Sequence, residues 1–226
     1  MPEYPPLEVK VWGDFACFTR PEMKVERVSY PVMTPSAARG ILEAIFWKPE
    51  IRLEVREIWV LKPIQHFSIV RNEVNHKAAV SAAMGWAEKG GGYFADDERN
   101  RAQRHTLALR DVAYIIHADV VLQPHATEDV AKYRDQFRRR VAQGKCHHTP
   151  YLGCREFPGF FCEPDGTERP IDLSDDLGRI LFDLSYLKDG SGRGTPIFEK
   201  FYLEKGIVSV PEGLYMKEVS HASSTT

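Results

Sequence analysis

No apolar run in the 226-residue chain approaches the roughly 18–20 residues that a membrane-spanning helix needs. The opening stretch, MPEYPPLEVK, lacks a basic start followed by an apolar segment, so no secretory leader is expected. Both absences argue for a cytoplasmic protein with no membrane partner. Cysteine is scarce: Cys17, Cys146, Cys154 and Cys162 are all there is. The last three stand eight apart, unlike the closely spaced pairs that gather zinc, so reduced thiols and no bound metal are expected. A surplus of charge of one sign is missing too, the formal net charge being −2. Any polyanion site must therefore come from segregation of charge along the chain. Internal repeats and heptads are absent.

What is present is an ordinary globular composition, 43% apolar and 27% charged. Such a chain can bury a sizeable core in one large domain or two modest ones. Charge is also segregated. Between Lys132 and Arg155 stand Lys132, Arg134, Arg138, Arg139, Arg140, Lys145 and Arg155, beside His147 and His148, against few acids. The stretch Glu163, Asp165, Glu168, Asp172, Asp175, Asp176 follows with only Arg169 among it. A basic block on a near-neutral chain suits either a bound polyanion or a solvated helix face.

LEVKVW, residues 7–12, alternates as a half-buried strand. In YPVMTPSAARGILEAIFWKP, Thr34 suits an N-cap and Pro35 the first helical position. Ala38, Ile41, Leu42 and Ile45 form one apolar stripe, and Pro49 predicts an end near Trp47. The small residues Ala37, Ala38, Gly40 and Ala44 predict close approach of a sheet. Residues 51–62 read as a second strand, 63–105 as a long mobile insertion, and 106–124 as a third strand. A second helix is expected from a Thr127 cap, with Glu128 and Asp129 in its first turn. Its stripe is Val130, Tyr133, Phe137 and Val141, and Gly144 ends it. Residues 150–157 complete the set as a fourth strand. The order predicts an α+β chain: a ferredoxin-like (RRM-like) βαββαβ domain over 1–157, with the insertion at about 63–105. A second antiparallel β-sheet unit of hairpins is expected over 158–226, ending in a disordered SHASSTT tail. The ferredoxin-like arrangement serves many single-strand RNA binders through its exposed sheet face.

Several segments are collinear with one family: VWGDFACFTRPEMKVERVSYPVMTPSAARGILEAIFWKP, RNEV, TLALRDVAYIIHADV, YRDQFRRR and PYLGCREF. They resemble the CRISPR-associated proteins of the Cas five family, in its type I-C (Dvulg) branch. The resemblance implies a metal-independent, cofactor-free endoribonuclease that cuts precursor CRISPR RNA at the repeat hairpin. It further implies that the protein stays on the 5′ handle of the crRNA, alongside the other subunits of a type I-C surveillance complex.

Metal-independent RNA cleavage uses the substrate's 2′-hydroxyl as nucleophile and leaves a 2′,3′-cyclic phosphate. It needs a base for that proton, an acid for the leaving 5′-oxygen, and a cation for the phosphate. The family's site resembles a tyrosine ending the first helix plus a lysine–histidine pair at the second. Here Phe46 stands at the tyrosine position, and Lys132 is followed by Tyr133. The expected catalytic set is Lys132 as the cation, Tyr133 as a proton donor and His147 as the replacement base. Phe46 and Trp47 are expected to wall the site or stack on a base. Arg134 and Arg138, one turn apart, are paired for phosphate, with Lys145 and His148 nearby. The resemblance alone adds Arg20, Lys24 and Tyr30 as RNA contacts. Core packing competes for Trp47 and Tyr133, and His117 reads as structural. Two other functions stay open: a non-catalytic subunit that binds the 5′ handle, and a metal-dependent nuclease acting on DNA. The doublets Asp96-Asp97 and Asp175-Asp176 that the latter would use read more simply as solvated surface.

Overall fold

The computed structural model describes residues 4–23, 25–75, 77–92, 94, 98, 100–185 and 194–216. Lys24, the Asp96-Asp97 doublet and the expected C-terminal tail lie outside the described residues. The elements are β1 (Leu7–Ala16), β2 (Arg27–Val28), α1 (Pro35–Ile45), β3 (Ile51–Val60), β4 (His66–Val74) and α2 (Val80–Lys89). They continue with β5 (Arg101–Leu122), α3 (Val130–Ala142), β6 (Phe160–Cys162), β7 (Asp175–Ser185), β8 (Thr195–Glu204) and β9 (Ile207–Ser209).

Strand β5 is the spine. It pairs antiparallel with β1 (Val9 opposite Ile116) and with β3 (Ile58 opposite Ile116). Alternation sorts β1 as expected: Leu7, Val9 and Val11 face the core, while Glu8, Lys10 and Trp12 take the other face. Helix α1 is capped by Thr34, whose Oγ1 accepts from the Ala37 amide at 3.2 Å. Its stripe of Ala38, Ile41, Leu42 and Ile45 is fully buried, and each Ile or Leu contributes roughly 1.5–3 kcal/mol by leaving water. The helix ends at Ile45, slightly before the expected Trp47, because Phe46 is already extended. In α3 the cap is Asp129, which accepts from the Ala131 amide at 2.7 Å, so the helix starts two residues later than a Thr127 cap would give. Tyr133, Phe137 and Val141 are buried as read, and Gly144, at φ +62°, follows the end.

Three expectations need correction. The insertion at about 63–105 holds β4 and α2, and β4 pairs with the first half of β5 from His66–Leu109 to Val74–Arg101. Backbone pairing along a 22-residue strand thus orders sequence that lacks a strong apolar pattern. Residues 150–157 make no strand, only a bridge between Tyr151 and Pro158. Pro150 and Pro158 have no amide proton to give a ladder, so the outer strand begins at Phe160 instead. The C-terminal hairpins also extend the first sheet. Strand β9 pairs with β3 at Glu57–Ser209, Ile58–Val208 and Trp59–Ile207, giving the order β6-β1-β5-β3-β9-β8-β7. The result is a mixed α/β chain on one sheet, antiparallel except for the short β2, which pairs parallel with β5. No helix among the described residues is long and apolar enough to cross a membrane.

Candidate active site

The last carbonyls of a helix have no partner within it. In α1 the segment following α3 supplies them. The His147 and His148 amides donate to the Ala44 carbonyl at 2.8 and 3.1 Å. Arg140 Nη1 donates to the Ile45 carbonyl at 3.2 Å, with its guanidinium 5.6 Å from the Phe46 ring centre. These bonds bring Trp47, His147 and His148 together, although a hundred residues of chain separate them. The two imidazoles lie 4.3 Å apart between centroids, and Trp47 is 54% exposed. Around them opens a groove of about 790 Å³ whose walls include Glu43, Trp47, His147, His148, Tyr151 and Arg155. Through Gly40, Glu43 and Tyr151 it continues into a second recess of about 380 Å³ that reaches Tyr30, Thr34 and Arg39.

Gly40 was expected to let the sheet approach, yet Ala38 does that. A Cβ on Gly40 would meet nothing within 4 Å, because this position faces the open groove. The opposite wall is fixed by Gly153. Its φ is +85°, and a Cβ there would lie 2.1 Å from the Cys17 carbonyl oxygen. The Cys17 amide donates to the Leu152 carbonyl at 2.9 Å, which locks the turn carrying Tyr151 and Arg155 onto the end of β1.

The expected catalytic residues are not gathered at one point. His147 and His148 line the groove. Lys132 stands in the first turn of α3, its side chain 57% exposed and its Nζ 2.6 Å from Glu128. That partner raises its pKa, so the side chain is a cation near neutrality. Eight residues separate Lys132 from Arg140, about 12 Å of helix rise. Tyr133 is buried at 5% exposure in the core, which corrects its reading as a proton donor to substrate. Phe46 is buried at 2% under Arg140, which corrects its reading as a wall of the site or a stacking ring.

The Arg134–Arg138 pair also needs correction. Arg134 is buried, donates to the Pro5 carbonyl and lies 5.2 Å over the Tyr4 ring, so it holds the N-terminal segment; only Arg138 is exposed. Lys145 is exposed just past the helix. Tyr30 lies buried against the inner recess, with the Arg20 guanidinium 4.6 Å from its ring centre and its hydroxyl donating to the Arg179 carbonyl at 3.5 Å. Burial raises its pKa. Arg20 is half-buried, and its Nη1 lies 3.8 Å from Glu22.

The reading missed Glu43, Tyr151 and the placement of Arg155. Ser36, Arg39, Gly40, Glu43 and Trp47 recur at three and four, the polar counterpart of the buried stripe, and that spacing was the available signal. Glu43 sits 3.8 Å from Arg39 Nε, while Arg39 Nη2 is committed to the buried Asp183 at 2.5 Å. Burial raises the Glu43 pKa, Arg39 opposes this, and Asp183 adds to it.

The side of the sheet away from α1 and α3 differs. Trp12 stacks on Phe160 at 6.0 Å and Trp59 packs on His117 at 4.8 Å. Its cation Lys10 is paired with Glu168 at 2.9 Å, and His117 Nε2 lies 3.6 Å from Glu8. Glu168 of the acidic stretch thus reaches the face that many ferredoxin-like proteins use for single-strand RNA.

Comparison with known proteins bears on the whole chain. A family model described as "CRISPR-associated protein (Cas_Cas5)" matches residues 6–190. The "CRISPR pre-crRNA endoribonuclease Cas5d" of Thermus thermophilus is 48% identical over 96% of this chain and 97% of its own. The protein of the same name from Mannheimia succiniciproducens is 42% identical over 94% and 97%. Among solved structures, a "CRISPR-associated Protein" covers 92% of this chain and 93% of its own with a TM-score of 0.64 at 22% identity, which is a likeness of fold. On the length of the matched region and the identity to both full-length relatives, the chain belongs to the Cas5d family of CRISPR-associated proteins.

Proposed function

We propose that this protein is a metal-independent endoribonuclease of precursor CRISPR RNA that acts in the groove beside α1. We infer that it remains on the 5′ handle as a subunit of a type I-C surveillance complex. The relatives named as pre-crRNA endoribonucleases support the substrate class, since they align over nearly all of both chains. The observation that carries the site is the main-chain attachment of His147 and His148 to Ala44. It sets two imidazoles beside exposed Trp47 in an open groove that also holds Arg155. One imidazole takes the 2′-hydroxyl proton, Arg155 faces the phosphate, and Trp47 stacks on a neighbouring base. Lys132, Arg138 and Lys145 track the backbone further out as exposed cations.

The strand order β6-β1-β5-β3, with α1 and α3 as its crossovers, supports reading the first part of the chain as ferredoxin-like. We read the strands after β6, from β7 to β9, as a unit appended to that sheet through β9, and the cytoplasm as the compartment, a reading supported by four free cysteines.

The test is cleavage of the cognate repeat RNA in EDTA by the wild-type protein, His147→Ala and Lys132→Ala. Cutting by the wild type is expected, with loss in His147→Ala and with a 2′-deoxy residue at the cut. Unimpaired cutting of the deoxy substrate would reject the mechanism. A second reading, a subunit that binds the handle without cutting it, draws on Phe46, which has no proton to exchange where the family's resemblance implies a tyrosine. It predicts salt-sensitive binding with no turnover in the same assay.

A further inference from the structure

Cleavage by the 2′-hydroxyl route needs two proton carriers, and Tyr133, the residue expected as the donor, is in the core. Phe46, at the position where the family's resemblance implies a tyrosine, has no acidic proton. Among the described residues that line the two halves of the groove, Glu43 is the one acid. It lies in the last turn of α1, four residues before Trp47, and Ala44, whose carbonyl holds both histidine amides, is the next residue. The charged groups acting on its carboxyl are Arg39 from its own helix and Asp183 from β7, while His147, His148, Tyr151 and Arg155 share the groove lining with it. Arg39 lies only 3.8 Å away and is engaged more closely by Asp183, so no tight ion pair occupies the Glu43 carboxyl. Gly40, one turn earlier, leaves clear space beside it.

We propose that Glu43 is the general acid of the cleavage, donating its proton to the departing 5′-oxygen. The proposal rests on the groove being the cleavage site. In the step, an imidazole takes the 2′-hydroxyl proton as that oxygen bonds to phosphorus. The bond from phosphorus to the 5′-oxygen breaks, and the carboxyl proton passes to that oxygen. The products are a 2′,3′-cyclic phosphate and a 5′-hydroxyl, and solvent returns a proton from the imidazolium to the carboxylate. Burial, which favours the protonated carboxyl, suits this role, because an acid must still hold its proton at the working pH.

The experiment is single-turnover cleavage by the full-length wild type, Glu43→Gln and Glu43→Asp. Each acts on repeat RNA and on the same RNA with sulfur in place of the bridging 5′-oxygen at the cut. A thiolate leaves without a proton. Glu43→Gln is therefore expected to slow the oxygen substrate about 10²–10⁴-fold while cutting the sulfur substrate near the wild-type rate. It should also lose the fall in rate at high pH, and Glu43→Asp should recover part of the rate. RNA affinity and melting temperature should stay within about twofold and a few degrees. A Glu43→Gln protein that is equally slow on both substrates, or as fast as wild type on the oxygen one, overturns the proposal. If the wild type cuts neither substrate, the groove reading itself fails and this proposal falls with it. If only His147→Ala is inactive, the groove stands and Glu43 is excluded.

Discussion

The groove beside α1 and the sheet face away from α1 and α3 carry similar inventories, aromatic rings with histidine and a long cation, yet their electrostatics differ. On the sheet face Lys10 is taken by Glu168, and His117, whose pKa is lowered by burial, lies against Glu8. In the groove His147, His148 and Arg155 have no carboxylate partner among the described residues, and the acid that lines it, Glu43, stands beside Arg39. Rings alone do not make a nucleic-acid surface. Phosphate goes where the positive charge has not already been neutralised.

Breaking the groove while sparing the other face should give the largest effect. Gly153→Ala forces a left-handed residue to carry a Cβ into the Cys17 carbonyl. A loss of about 3 kcal/mol or more is expected, read as a melting temperature lower by roughly 6–12 °C. Next comes catalysis. His147→Ala should slow cleavage about 10²-fold or more, whereas Trp12→Ala and Phe160→Ala on the sheet face should change it less than about twofold. Equal losses from the two faces would erase the contrast drawn above. Trp47→Ala should then weaken RNA binding by about 1–3 kcal/mol in a filter-binding titration, through the lost stacking partner. Replacing Arg155 by Ala sharpens the electrostatic half of the comparison: the slope of log affinity against log salt should fall by about 1, and Lys10→Ala should leave it unchanged.

The smallest effect is on pH. Glu43 and Asp183 are both held above the ordinary carboxylate range, chiefly by burial, with Arg39 opposing in each case. A raised folded pKa means that the fold prefers the proton. This contribution is complete below the unfolded pKa and is lost as pH rises through the folded one. The melting temperature of the wild type should therefore decline slightly across that window relative to Glu43→Gln.

Local chemistry was legible in the chain. Thr34, Pro35 and the buried stripe wrote α1 almost to the residue, and the α3 stripe was equally plain. What failed was whatever depended on partners distant in sequence. The pairing of β4 with β5, and of β9 with β3, follows from hydrogen bonding between backbones that carry no distinctive pattern. Among site residues, His147, His148 and Trp47 were each singled out, but the bond to Ala44 that brings them to one groove is made by amides and leaves no trace in side-chain spacing. Arg134 was misread because its charge outweighed its position. It lies between Val130 and Phe137 along the buried stripe, and its guanidinium is covered by Tyr4 and Pro5.

The clasp on Ala44 has one more consequence. Since it is fastened by main-chain amide protons, the rings at 147 and 148 can be exchanged for other side chains without loosening it. The reactive groups are thus interchangeable fittings on a fixed mount, and a descendant of this chain could acquire new chemistry at that station, or lose it, while keeping the same aperture.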